Sequence, residues 1–165
     1  GSMEHKIVKS GFNYEVCGKS FEPKYECDLS FDKWWSICGN NYVNNFNISK
    51  SEFEDFEFND GLNIGDILIL WGKDPKNFEV GDMLVFVPQD RSFFENYGPV
   101  IHRIVKIYEE DGTKYYRTKG DHNGVSAVGF ENKIKEEDVI GSPVLRIPYL
   151  GYIKLGIYNL FSVFG

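Results

Sequence analysis

The sequence contains no apolar run approaching the roughly 20 residues that a membrane-spanning helix requires. It also lacks a Gly-rich phosphate loop, an HExxH or GxSxG motif and any paired metal-ligand motif, so the common nucleotide, zinc-hydrolase and α/β-hydrolase chemistries have no foothold and no metal or organic cofactor is implied. Basic charge is in short supply. With 18 Lys and Arg against 25 Asp and Glu, the formal net charge is -7, and no Lys/Arg run or aromatic-basic stripe reverses it locally. A nucleic-acid partner is therefore excluded, because the average surface would repel a polyanion. Cysteine is scarce: Cys17, Cys27 and Cys38 form no CxxC pair and have only His5 nearby, which argues against structural zinc. One disulfide with one free thiol would suit an oxidising compartment, and three reduced thiols a cytoplasmic one.

What is present is a foldable chain. Of 165 residues, 42% are hydrophobic and 16% aromatic, enough for one domain with a sizeable core, or one domain carrying an insertion. From residue 61 to 155 the pattern is mainly β. The runs Ile67–Trp71 and Met83–Val87 are short, apolar and bounded by turn residues, as buried strands are, and each follows the same punctuation, Ile64-Gly65-Asp66 and Val80-Gly81-Asp82. Gly permits the turn and Asp can accept from nearby amides. Val100–Tyr108 and Thr113–Lys119 flank an Asp111-Gly112 hairpin signal, and Val144–Ile147 adds a further strand. The expected fold is mainly β, an antiparallel sheet with closely spaced turns. Residues 28–58 differ: Ser30 can cap a helix through Trp34, Ile37, Cys38 and Tyr42, and Ser49-Lys50-Ser51-Glu52 has the form of a capping box. Two small helices interrupting a β domain are most simply an insertion. The C-terminal stretch from Ile147 to Gly165 is apolar and rich in Tyr and Phe, which suits either a packed tail or a segment approaching a membrane surface.

Three histidines limit the general bases. His5 and His122 lie outside the apolar strands, whereas His102 sits inside Val100-Ile101-His102-Arg103-Ile104, where alternation puts it on one face with Val100 and Ile104. A strand histidine is ordinarily a satisfied core residue; the functional alternative is a base, since imidazole titrates near pH ~6.5. Asp121, in Lys119-Gly120-Asp121-His122-Asn123, follows the hairpin and is either a turn aspartate capping amides or the acid that orients an imidazole.

These pieces occur in an order that resembles a known family. Ile64-Gly65-Asp66, Val80-Gly81-Asp82, Ile101-His102-Arg103, Thr118-Lys119-Gly120-Asp121-His122-Asn123, Gly141 and Ile147-Pro148-Tyr149-Leu150-Gly151-Tyr152 look like type I signal peptidases of the archaeal and endoplasmic-reticulum, Ser-His, kind. The resemblance implies that His102 is the base, Asp121 its orienting or stabilising acid, and a serine followed by methionine the nucleophile. The usual nucleophile position before the first Gly-Asp holds Glu57-Phe58 instead, while Gly1-Ser2-Met3-Glu4-His5 matches the nucleophile motif except for His in place of Pro. Ser2 is accordingly the expected nucleophile, with residues 6–60 as an enlarged connection. Gly-Ser before Met also matches a common tag remnant, so the assignment turns on where Ser2 lies. Ser10, Ser20 and Ser51 are not followed by Met. A second acid usual in relatives would fall at position 127, which is Ala127; either Asp121 suffices, or Asp138 or another acid substitutes, or activity is reduced.

The resulting division is a nucleophile-bearing segment 1–27, a helical insertion 28–58, a signal-peptidase-like β catalytic core 59–155 and an apolar juxtamembrane tail 156–165. The resemblance further implies a serine endopeptidase that removes signal peptides from exported preproteins. Such an enzyme would be held by an anchor at the cell membrane, with its active site on the extracytoplasmic face. A catalytically silent relative that binds signal segments or partner proteins is the alternative, favoured by Glu57 and Ala127.

Overall fold

A computed structural model describes residues 2–21, 25–72, 74, 77–89, 91–126, 129 and 131–152. Among them ten strands form two antiparallel sheets, in keeping with the mainly β fold expected from the sequence. In chain order the elements are β1 (Lys6–Ser10), β2 (Asn13–Val16), β3 (Lys19–Ser20), β4 (Cys27–Asp28), α1 (Phe31–Phe46) and α2 (Lys50–Glu54). They continue with β5 (Ile67–Trp71), β6 (Met83–Phe86), α3 (Arg91–Tyr97), β7 (Val100–Glu110), β8 (Thr113–Lys119), β9 (Ile134–Lys135) and β10 (Val139–Ile147). The larger sheet has the order β5-β10-β6-β7-β8-β9, and the smaller β3-β2-β1-β4.

Local chemistry explains the punctuation. At both Gly-Asp pairs the glycine takes positive φ (93° at Gly65, 102° at Gly81), a region that strains residues with a Cβ. The following aspartate closes the turn: Asp66 Oδ2 accepts from Asn63 N and Asp82 Oδ2 from Glu79 N, each at 2.9 Å. The Asp111-Gly112 hairpin turn has positive φ at both residues, as a two-residue turn matched to strand twist needs. Ser30 caps α1, accepting from Lys33 N, and Ser49 opens α2 with a complete capping box.

The two β runs with similar composition have different fates. β6 is buried along its whole length between β7 and β10, whereas β5 is a sheet edge on which Ile69, Leu70 and Trp71 are exposed. The expectation of a buried strand fails for β5 because, among the described residues, none of the three cores covers the sheet faces at Ile69, Leu70 and Trp71. β10 is also longer than the four residues its hydrophobicity suggests: it starts at Val139 and bends at register shifts near Gly141 and Val144 as it passes from β6 to β5.

The two helices pack the small sheet against β7. Trp34, Ile37, Cys38, Tyr42 and Phe53 join Ile7, Val16 and Val105 in one core. Cys17 and Cys38 form a disulfide, tying the end of β2 to α1, and Cys27 is a half-buried free thiol. A second core lies on the large sheet (Leu84, Phe86, Ile104, Tyr116, Ile134), and a third is built on Met3, Leu62 and Met83. No helix among the described residues is long and apolar enough to cross a membrane. The tail expected at 156–165 lies outside the described residues.

Candidate active site

Ser2 is held by the residues around it. Its carbonyl accepts from His122 N at 2.9 Å, and the next side chain, Met3, is buried in the third core. Met3 O accepts from Leu62 N at 3.0 Å, and Glu4 Oε1 from Ile64 N at 3.3 Å. The chain therefore leaves at β1, builds the small sheet and helices, and returns to Met3 at Leu62. Residues far apart in sequence thus meet side by side.

His102 lies on β7 opposite Leu84 of the neighbouring strand, buried, with its ring edge-on to Phe86. Its Nε2 is 2.9 Å from Ser2 Oγ. On the other side of the ring, Nδ1 is in ion-pair contact with Glu131 Oε1. Glu131 is wholly buried, and its backbone carbonyl accepts from Thr118 N at 2.8 Å, which fixes it to the end of β8. A carboxylate at Nδ1 favours the tautomer with the proton there, leaving Nε2 free to accept from the serine hydroxyl.

Asp121 occupies a different position from the one expected of an orienting acid. Its carboxylate is engaged by Arg103, Nε to Oδ1 at 3.1 Å and Nη2 to Oδ2 at 2.8 Å, by the Tyr42 hydroxyl at 2.6 Å, and by His5 Nε2 at 3.4 Å. The acid at His102 is Glu131, and the reason is directional: Asp121 is turned away from the ring towards Arg103, Tyr42 and His5. Burial alone would raise the Asp121 carboxyl, but the Arg103 guanidinium and the His5 ring hold it well below the usual carboxylate range. Tyr42 moves the other way; burial, and then the Asp121 charge, push its phenol well up and keep it a proton donor. Arg103 is itself fully buried, donates also to the carbonyls of Glu57, Phe58 and Gly81 at 2.9–3.0 Å, and stacks its guanidinium 4.7 Å from the Phe53 ring centre. The position where a nucleophile was first sought, Glu57, is thus a backbone anchor for Arg103.

Lys119 completes the buried charges. Its Nζ donates to Gly120 O at 3.0 Å and lies 4.5 Å from the Tyr42 ring centre. Burial lowers its pKa to about 8, with Asp121 and Glu131 opposing the fall. Gly120 brings the site close together: a Cβ there would stand 2.9 Å from His102 Nε2 and 2.7 Å from both Ser2 O and Asn123 Nδ2. Beside these groups opens a cavity of about 340 Å³, lined by Ser2, His102 and Asn123 on one side and by Phe93 and Tyr97 of α3 with Val100 on the other. No group of three or more His, Cys, Asp or Glu suited to a metal ion occurs among the described residues.

A hydroxyl, an imidazole and a buried carboxylate stand in contact beside a largely apolar cavity, the chemical parts that acyl transfer through a hydroxyl needs. Comparison with known proteins finds signal peptidase catalytic subunits. The catalytic subunit SEC11 of the signal peptidase complex of Scheffersomyces stipitis is 32% identical over 107 residues, covering 61% of each chain. The corresponding subunits of Lachancea thermotolerans (34% over 100 residues) and Zygosaccharomyces rouxii (32% over 99 residues) each align with 56% of both chains. The chain resembles signal peptidase catalytic subunits. The resemblance read from the Gly-Asp, His-Arg and Lys-Gly-Asp elements is thereby borne out. The chain spans about three-fifths of the length of the curated relatives it matches. No protein-family model matches it.

Against that signal-peptidase pattern, the two residues that sequence reasoning missed are informative. Glu131 lies four positions beyond Ala127, where the second acid was sought, and nothing in its immediate sequence marks it; the signal was the missing acid itself. Asn123 was visible as the end of the Lys-Gly-Asp-His-Asn element but carried no assigned role.

Proposed function

We propose that this chain carries the catalytic machinery of a signal peptidase I-type serine endopeptidase, cleaving signal peptides from exported preproteins through Ser2, His102 and Glu131. The reading rests on one observation above all, the 2.9 Å approach of Ser2 Oγ to His102 Nε2 with Glu131 behind the ring. Ser2 Oγ attacks the scissile carbonyl as His102 Nε2 takes its proton; the C–N bond then breaks as His102 returns that proton to the leaving amine. Water, deprotonated by the same imidazole, hydrolyses the acyl-enzyme and restores Ser2. Glu131 steadies the imidazolium formed at each step. Asp121 acts at one remove: with Arg103 it fixes the turn that begins at Gly120 and thereby the His122 amide that holds Ser2.

The substrate is an extended signal segment with small side chains before the cut, which enters the cavity between His102 and α3 with its main chain paired along a strand edge. An anchored protein would work at the extracytoplasmic face of the cell membrane, and the Cys17–Cys38 disulfide suits such an oxidising environment. Incubation of the membrane-anchored protein with a preprotein tests the assignment. Wild type should release the signal peptide, and Ser2→Ala and His102→Ala should each lower kcat by at least about 10³-fold. Equal cleavage by wild type and Ser2→Ala would remove Ser2 from the mechanism, and no cleavage by any form would favour a silent domain that binds signal segments.

A further inference from the structure

The Ser-His-Glu line supplies a nucleophile, a base and an orienting acid, but it does not itself neutralise the oxyanion that forms when the carbonyl is attacked. That charge requires an N–H donor on the far side of the reacting carbon from the base, already in place in a site that excludes water.

Asn123 offers an N–H donor beside both the nucleophile and the base. Gly120 to Asn123 form a tight turn closed by Asn123 N donating to Gly120 O at 2.9 Å, which returns the Asn123 side chain over the bare Cα of Gly120. One point in space, the place a Cβ on Gly120 would occupy, is 2.7 Å from Asn123 Nδ2, 2.7 Å from Ser2 O and 2.9 Å from His102 Nε2. The amide, the nucleophile-bearing residue and the base therefore crowd round the bare Cα of Gly120, too close for a methyl group to fit between them, and Asn123, Ser2 and His102 line the same cavity. Among the described residues the Asn123 side-chain amide has no partner, so its N–H groups are available to a ligand. The half-buried turn that carries it is fixed from below, because His122 N holds Ser2 O and Cys17 N holds His122 O at 2.9 Å.

We infer that Asn123 is a catalytic residue whose side-chain amide donates to the oxyanion formed when Ser2 attacks the substrate carbonyl. This rests on the serine-peptidase reading above. As the Ser2 Oγ–C bond forms and the carbonyl π pair moves onto oxygen, the hydroxyl proton goes to His102 and the new O⁻ accepts from Asn123 Nδ2–H. When the C–N bond breaks, the pair returns to the carbonyl and the donor is released unchanged. The bare Cα of Gly120 has a function here, since any side chain would collide with the donor, the base and the Ser2 carbonyl and push them apart.

The test compares Asn123→Ala and Asn123→Asp with wild type in the membrane-anchored protein, using a cleavable signal-peptide substrate and a peptide aldehyde that forms a tetrahedral adduct with Ser2. Asn123→Ala should lower kcat by about 10²- to 10³-fold with KM within about two-fold, and should weaken the aldehyde by a similar factor. Asn123→Asp, isosteric but negative, should be at least as slow. Binding of the uncleaved peptide to the Ser2→Ala protein should be the same with or without Asn123→Ala. Unchanged kcat in a folded Asn123→Ala protein, or a loss confined to KM, would overturn the inference. So would an Asn123→Asp protein that melts normally and cleaves normally. Cleavage that persists in Ser2→Ala would instead defeat the serine-peptidase reading, a result distinct from failure of the Asn123 assignment.

Discussion

Two buried carboxylates stand ten positions apart on one loop, and they are used in opposite ways. Asp121 is saturated: Arg103, Tyr42 and His5 converge on its two oxygens, and Arg103 in turn gathers three backbone carbonyls. Glu131, equally buried, is aimed at the one ring that faces the serine. A carboxylate held by a guanidinium and a phenol holds structure together; one that meets an imidazole ring at a cavity is placed to respond when that ring takes a proton. Burial is the same at both sites, so the partners decide the role.

The sharpest way to break that contrast is to remove each acid in turn. Glu131→Gln should lower kcat by about 10³- to 10⁴-fold, because the imidazolium loses its counter-charge and the ring its tautomer, while thermal stability changes little. Asp121→Ala should do the reverse in kind, leaving the Arg103 guanidinium buried and unpaired at a cost of about 3–5 kcal/mol, read as a lowered Tm. The same pair sets a pH signature. Because the folded pKa of Asp121 is depressed, its stabilisation is complete above its unfolded value near ~3.9 and is lost as pH falls towards the folded value, so wild type and Asp121→Asn should converge in stability in acid. An Asp121→Ala protein of unchanged Tm but lost activity would invert the assignment.

A smaller effect probes the close contacts around Gly120. Gly120→Ala places a methyl group against His102 Nε2, Ser2 O and Asn123 Nδ2, and should lower kcat/KM by about 10²-fold through displaced reacting groups and lower Tm as well, because the Ser2 carbonyl is backbone held by the His122 amide. The smallest effect concerns Lys119. Its folded pKa of about 8 lies below the unfolded value near ~10.4, so the unfolded chain holds the extra proton between these limits and stability should rise with pH from about 8 to about 10. Denaturant melts across that window should lose the rise in Lys119→Met; a rise that persists would assign it to another group.

Much of the fold was legible beforehand because it is written in local chemistry. Gly-Asp turns, the Asp111-Gly112 hairpin, the Ser30 cap and the Ser49 capping box each depend on a few adjacent residues, and each forms as expected. The exposure of β5 was not legible, since an apolar run reads the same whether or not another layer covers its faces. At the site, His102 stood out as a polar residue inside an apolar strand, and Met3 beside Ser2 matched a nucleophile motif. Asp121 was equally visible, yet its charge is directed at Arg103, a residue whose own role could not be read from a strand pattern.

The sequence by itself determined the elements, the turn chemistry, the resemblance to signal peptidases and the candidates Ser2 and His102, because these follow from neighbours along the chain. Tertiary structure alone decided that the opening serine returns to the sheet after the excursion through β1–α2, that Glu131 and not Asp121 meets the imidazole, and that Asn123 lies across a bare glycine from the base. A hydrogen bond depends on distance and direction in space, and a loop reversing over a few residues can turn one carboxylate inward to the ring and another away from it.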